Sequence, residues 1–131
     1  MDVIAQAFLA IGDDVGPLLE LGRPMLALYI GGMGAKGKNF YNDLACRYGY
    51  EAEAKIIQEL YLAGKKEEAA AAVPDELLSR LALIGPEGYV RERIAAFAEA
   101  GVTTLNVNPV APDHLSRVAL IERVRGLAAD V

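Results

Sequence analysis

The stretch that decides the fold is Val3–Ile11, which reads VIAQAFLAI and is apolar at every position except Gln6. Such a run is typical of a strand that is buried on both faces of a parallel sheet, with a short buried helix as the alternative. Gly12–Asp14 ends it. A second strand is predicted over Val102–Val107, because this segment is rich in β-branched residues and the turn-forming Asn108–Pro109 follows it.

The rest of the chain carries helical patterns. Asp13 or Asp14 is expected to cap a helix that reaches towards Ile30, and Pro24 predicts a kink or two short helices there. Further helices are predicted over 50–63, 65–73, from 74, over 86–100 and over about 113–129. The last helix is expected to bury Leu115, Val118, Ile121, Val124 and Leu127 or their neighbours. The sequence therefore predicts a helix-rich α/β protein.

Two strands cannot form a sheet that is buried on both faces, since each strand would expose a row of unpaired backbone groups. We therefore expect the missing strands to come from another copy of the chain or from a larger fold that contains it.

Composition excludes several classes of protein. The 131 residues suit a single domain, and a net charge of −5 argues against a nucleic-acid surface. No apolar run approaches the ~18 residues of a membrane span, and no signal-peptide pattern is present. One cysteine, Cys46, excludes an intrachain disulfide, so we expect a cytoplasmic protein without membrane or nucleic-acid partners. With a single histidine, His114, no metal site and no catalytic set of residues is predicted.

The glycine motif Gly32-Met33-Gly34-Ala35-Lys36-Gly37 matches the dinucleotide pattern G-x-G-x-x-G. A helix is predicted before it, and no acidic residue ends a second strand about 20 residues later. We therefore favour a helix end followed by a mobile glycine loop, and keep a nucleotide-binding module as a minor hypothesis.

Two groups of residues are candidates for ligand contact. The glycine loop and its flanks combine aromatic, amide and flexible positions that suit a substrate-pocket wall or a lid. These are Tyr29, Gly32, Met33, Gly34, Asn39, Phe40, Tyr41 and Asn42. Asn106 and Asn108 lie at the carboxyl end of the second strand, the end that faces the ligand in parallel α/β folds, with ordinary turn chemistry as the alternative. One of the two is expected to point inward.

A family resemblance rests on the same segment. Residues 26–34, LALYIGGMG, and 38–44, KNFYNDL, resemble the C-terminal part of luciferase-like flavin- or deazaflavin-dependent oxidoreductases. The actinobacterial branch that uses coenzyme F-420 is the most similar. Residues 82–87, ALIGPE, and 100–105, AGVTTL, look like the closing helix and last strand of that family.

The resemblance implies that residues 1–131 form one segment, the C-terminal portion of a (β/α)8 TIM barrel. Val3–Ile11 would be the seventh strand, residues 13–80 a helical insertion and 102–107 the eighth strand. The coenzyme would be F-420, with FMN as the alternative, and Asn106 and Asn108 would be cofactor-binding. The complete protein would transfer a hydride between coenzyme and a small organic substrate, and we expect this chain alone to be inactive.

The partners expected from this interpretation are the missing N-terminal half of the barrel or another copy of the chain, in a homo-oligomer. The alternative function is non-enzymatic: a self-associating or subunit-binding α/β module that uses its exposed sheet edges and apolar helix faces.

Overall fold

A computed structural model describes all of residues 1–131, and the chain divides into two compact units. The sheet unit contains Met1–Leu19 and Ser79–Val131, and the helical unit contains Glu20–Leu78. The sheet unit is therefore assembled from two separated stretches, whereas the helical unit is one continuous stretch between them.

The sheet has three parallel strands in the order β2-β1-β3. The predicted first strand is confirmed as β1, Ile4–Ile11, and the predicted second strand is β3, which lies two residues further on at Thr104–Pro109. The expectation of only two strands is wrong, because Leu83–Gly85 forms β2. The sequence did not reveal β2 because three residues are too few to show the alternation of apolar and polar side chains that indicates a strand. Leu83–Gly85 is a strand because it pairs with Leu9–Ile11.

One face of this sheet is covered by two helices, α7 (Glu87–Glu99) and α8 (His114–Ala129). The side chains between helices and sheet form the core of the unit. They are Ala7, Leu9, Leu83, Val90, Ile94, Val124 and Leu127. Helix α7 connects β2 to β3 and packs against β2, so the predicted helix-rich α/β class with a small parallel sheet is confirmed.

The opposite face of the sheet is largely uncovered within this chain. Ile4 is 62% exposed, and Gln6, Asn106 and Asn108 are exposed as well. The expectation that both strands are buried on both faces is therefore wrong for these residues, since only the face towards α7 and α8 is packed.

The edges of the sheet are also open. Strand β2 pairs only with Leu9–Ile11, so Ile4–Phe8 has no strand on that side. Strand β3 pairs with β1 alone. Only Leu9 of β1 has a paired residue on both sides, and the rest of β1 pairs on one side only.

Helix α8 confirms the predicted burial in its C-terminal half and contradicts it in its N-terminal half. Val124 and Leu127 are buried and Leu120 packs against the same core, whereas Leu115 is 79% exposed. Val118 and Ile121 are exposed too. Apolar residues lie along the whole helix, so the sequence pattern alone could not tell which of them meet the sheet.

Between β1 and β2 the chain contains helices and no strand. They are α1 (Val15–Glu20), α2 (Arg23–Ala27), a π-helical turn (Leu28–Gly32), α3 (Phe40–Arg47), α4 (Glu51–Leu62), α5 (Lys66–Ala71) and α6 (Asp75–Leu81). The break predicted near Pro24 is confirmed, because α2 begins at Arg23 with Pro24 in its first turn. Within the helical unit, α4 packs against α3, α5 and the π-helical turn.

The longest helix, α8, has 16 residues, and none of the helices combines the length and apolar character needed to cross a membrane.

Candidate functional site

The glycines that follow α2 allow close packing. The π-helical turn ends in Gly31 and Gly32, and a Cβ atom on Gly31 would lie 2.6 Å from the Tyr61 Cβ and 3.0 Å from the Ile57 carbonyl oxygen. A Cβ atom on Gly32 would lie 2.5 Å from Cε1 of the Tyr61 ring. Only glycine lets this turn approach α4 so closely.

The remaining glycines of the motif shape the loop. Gly34 has φ +156°, and a Cβ atom there would lie 2.4 Å from the Lys38 carbonyl oxygen. Gly37 has φ +77°, and the Lys38 N–H donates to the Ala35 carbonyl at 2.9 Å, which closes a turn. A π-helical turn precedes the motif where a dinucleotide-binding fold has a strand, so the helix predicted before the glycines is confirmed.

Asn39 fixes the end of this loop. Its side chain is 1% exposed, and its Nδ2 donates to the carbonyls of Tyr29 at 3.0 Å and Ile30 at 3.1 Å. Its Oδ1 accepts from the Asn42 N–H at 3.0 Å, which caps the N-terminus of α3. The amide therefore ties the π-helical turn to α3, and both of its N–H donors are used within the chain.

Asn42 extends the same network. Its Nδ2 donates to the carbonyls of Ile30 and Ala54, both at 3.0 Å, and so joins the π-helical turn to α4. The Cys46 thiol donates to Asn42 Oδ1 at 3.8 Å. Both asparagines of the predicted pocket therefore bond to backbone groups of their own unit.

An aromatic cluster of Tyr29, Phe40 and Tyr41 lies on the surface beside this network. The rings of Tyr29 and Tyr41 have centroids 4.8 Å apart, and those of Phe40 and Tyr41 are 5.6 Å apart and nearly perpendicular. Phe40 is 68% exposed, Tyr41 is exposed, and Met33 is exposed in the adjoining loop. The structure thus brings together Tyr29, Asn39, Phe40, Tyr41 and Asn42, while Gly32 faces the Tyr61 ring and Gly34 packs at the loop base.

In the sheet unit, Asn106 and Asn108 are two residues apart on β3 and therefore share one face. The expectation that one of them points inward, towards a ligand, stays a prediction. Leu105 and Val107 face the core under α7 and α8, so both asparagines lie on the uncovered side. Neither carboxamide has a hydrogen-bond partner in the chain.

Gln6 was missed as a functional candidate. It pairs in register with Asn106, so the two side chains lie on the same face of the sheet. The signal was present in the sequence, because Gln6 is the only polar residue of the Val3–Ile11 run. Its significance depends on the register between β1 and β3, which local sequence does not provide.

The charged side chains do not form a further candidate site. No three His, Cys, Asp or Glu side chains are placed to hold a metal ion. Asp113 caps α8, and hydrogen bonds from the Ser116 N–H and hydroxyl lower the pKa of its carboxyl. Asp113 therefore serves as the N-cap of α8.

Comparison with known proteins identifies the family. A family model described as luciferase-like monooxygenase matches residues 1–104. A relative from Mycobacterium tuberculosis, provisionally named a coenzyme F-420-dependent oxidoreductase, is 36% identical over 128 residues. The alignment covers 98% of this chain and 34% of the relative, so the chain spans about one third of that protein's length. No solved structure matches significantly. The resemblance found in the sequence is confirmed, and the chain belongs to the luciferase-like monooxygenase family.

Proposed function

We propose that this chain is part of an oxidoreductase that transfers a hydride between an organic substrate and coenzyme F-420, with FMN as the alternative coenzyme. The observation that carries the proposal is the 36% identity to the F-420-named relative over nearly the whole chain. The chemistry supplied by the coenzyme is acceptance and donation of the hydride. The chain's residues would bind and orient the reactants, and none of them is proposed as a proton donor.

The proposed fold of the complete protein is a (β/α)8 barrel, in which β1 would be the seventh strand and β3 the eighth. Support comes from their direct parallel pairing, from the helices on one side only, and from the open edges of the sheet. In such a barrel the uncovered face of the sheet would point inward. The partner would then be the other part of the barrel.

The proposed role of the helical unit is a substrate-pocket wall or lid formed by Tyr29, Met33, Phe40 and Tyr41. Exposed aromatic rings give apolar contact to an organic substrate. Gly32, Gly34, Asn39 and Asn42 would set the backbone that presents them, since their contacts lie within the unit. π-Helical turns are rare and frequently occur at functional sites, which agrees with this assignment.

The proposal is tested with a chimera in which this chain replaces the aligned third of the Mycobacterium tuberculosis relative. We expect the chimera to bind F-420 or FMN, measured by the change in coenzyme fluorescence. A folded chimera that binds neither coenzyme would contradict the proposal. The relative itself is the positive control, and this chain alone is expected to be inactive.

A second candidate function is a self-associating or subunit-binding module. The favouring observation is the exposed apolar surface of α8, at Leu115, Val118 and Ile121, together with the open edge of β3. Sedimentation at several concentrations separates the candidates. A monomer at every concentration would contradict self-association, and a concentration-dependent dimer without any coenzyme binding by the chimera would favour it.

A further inference from the structure

We propose that Gln6, Asn106 and Asn108, together called the carboxamide row, bind the imide edge of a planar heterocycle, in which two ring carbonyls flank one N–H. The inference rests on the proposed function, because the pyrimidinedione rings of flavins and deazaflavins carry this edge. It adds Gln6 to the site and assigns the chemical group that the row recognises.

The register of the sheet places the three side chains together. Gln6 pairs with Asn106, and Phe8 pairs with Asn108. Paired residues of neighbouring parallel strands lie about 4.8 Å apart, and residues i and i+2 of a strand about 6.6 Å apart, on the same face. The row is therefore compact enough for adjacent carboxamides to reach one ring edge.

The row is available for a ligand. All three residues are exposed, and none of the three side chains has a hydrogen-bond partner in the chain. Asn39 and Asn42 show the opposite arrangement, since their Nδ2 groups donate to backbone carbonyls. One pair of asparagines thus bonds within the chain, whereas the other pair and Gln6 have no partner in the chain and face solvent.

The hydrogen-bonding pattern fits an imide. Each carboxamide offers two N–H donors and one carbonyl acceptor. One carboxamide can accept from the ring N–H while donating to a ring carbonyl, in the paired geometry by which Asn and Gln read adenine. A neighbouring carboxamide can donate to the second carbonyl.

The uncovered face offers no complementary charge to a charged ligand group. Along β1 it presents Ile4, Gln6 and Phe8, and along β3 it presents Thr104, Asn106 and Asn108. None of these six carries a charge, so the face suits a neutral ring better than a phosphate. Ile4 and the half-buried Phe8 flank Gln6 and provide apolar contact for the ring.

The test is a nitrogen–proton NMR titration of the full chain with FMN up to millimolar concentration. We expect the side-chain NH2 signals of the carboxamide row to shift, while those of Asn39 and Asn42 stay in place as internal controls. FMN methylated at the imide nitrogen is the matched probe, and we expect its affinity to be weaker by about fivefold or more.

Two variants complete the experiment. The double variant Asn106→Ala, Asn108→Ala is expected to weaken FMN binding by about fivefold or more and to leave the melting temperature unchanged. Gln6→Ala is expected to act in the same direction.

Three outcomes would overturn the inference. If FMN binds but its methylated form binds equally well, the imide edge is not recognised, while the proposed function stands. If the NH2 signals shift with protein concentration alone, the face binds a second copy. If millimolar FMN shifts none of these signals, the row does not bind the ring, and the proposed function is then judged on the chimera.

Discussion

The four asparagines of the chain divide evenly between its two units and do opposite things. In the helical unit, Asn39 and Asn42 donate to the carbonyls of Tyr29, Ile30 and Ala54. In the sheet unit, Asn106 and Asn108 are exposed, and their side chains make no hydrogen bond within the chain. The difference shows that residue type alone does not identify a ligand site. The same side chain can hydrogen-bond to backbone groups in one place and be exposed to solvent in another.

Two glycines, one from each unit, also differ in their surroundings. Gly31 meets Tyr61 and the Ile57 carbonyl, whereas Gly126, within α8, has open space where a Cβ would be. Each prediction below changes a side chain in the helical unit and a matched one in the sheet unit, except the last.

The largest effect is expected for Asn39→Ala. The change removes the cap of α3 and leaves two carbonyl bonds unmade in a buried position, so the free energy of unfolding should fall by about 3 kcal/mol. Urea denaturation followed by circular dichroism measures it. Asn108→Ala is the control and should stay within about 0.5 kcal/mol of the parent. Equal losses in the two variants would contradict the comparison.

The next effect is expected for Gly31→Ala. The added methyl group would lie 2.6 Å from the Tyr61 Cβ and 3.0 Å from a backbone oxygen, neither of which can move freely. We expect a loss of about 2 kcal/mol in the free energy of unfolding. Gly126→Ala should instead stabilise the protein by about 0.5–1 kcal/mol, because it removes a helical glycine without a clash. An unchanged free energy of unfolding in Gly31→Ala would show that the turn is not tightly packed.

Arg23→Met is expected to lower the free energy of unfolding by a smaller amount, about 1–2 kcal/mol. The Arg23 side chain is 12% exposed, bonds to the Val73 carbonyl and to Asp75, and donates to Glu20 at 2.7 Å. Arg123→Met breaks a surface pair with Glu87 at 2.5 Å and should cost about 0–1 kcal/mol. Thermal melts at low and high salt distinguish the two variants, since the Arg123 effect should disappear with salt and the Arg23 effect should largely persist. The same salt sensitivity in both would contradict this.

The smallest effect concerns the pH dependence of the Asp113 cap. Its pKa in the folded chain lies below the unfolded value of 3.8, because Ser116 donates two hydrogen bonds to the carboxylate. The cap therefore stabilises the fold fully above that value and is lost as the pH falls through the folded pKa. Asp113→Asn should keep the cap and reduce the fall in melting temperature between about pH 5 and pH 2. Identical pH profiles would show that the carboxylate is not stabilised.

Several elements were predictable because their signal is local. The apolar run of β1 and the break at Pro24 were both identified in the sequence and are confirmed. The same is true of the helix before the glycine motif. In each case one backbone restriction or one short apolar pattern is enough to determine the element.

Other features depended on partners far away in the chain. Strand β2 exists through pairing with Leu9–Ile11, and the exposure of Leu115, Val118 and Ile121 on α8 depends on where the sheet lies. The contribution of Gln6 depends on register with Asn106, one hundred residues later. No local pattern contains that information.

By itself, the sequence determined the family, the α/β class and the set of candidate polar and aromatic residues, because composition, periodicity and short motifs are properties of neighbouring residues. Only the tertiary structure decided which amides hold the backbone and which remain free. The reason is that a hydrogen bond requires its partner within about 3 Å, and strand register and helix packing alone bring such partners together.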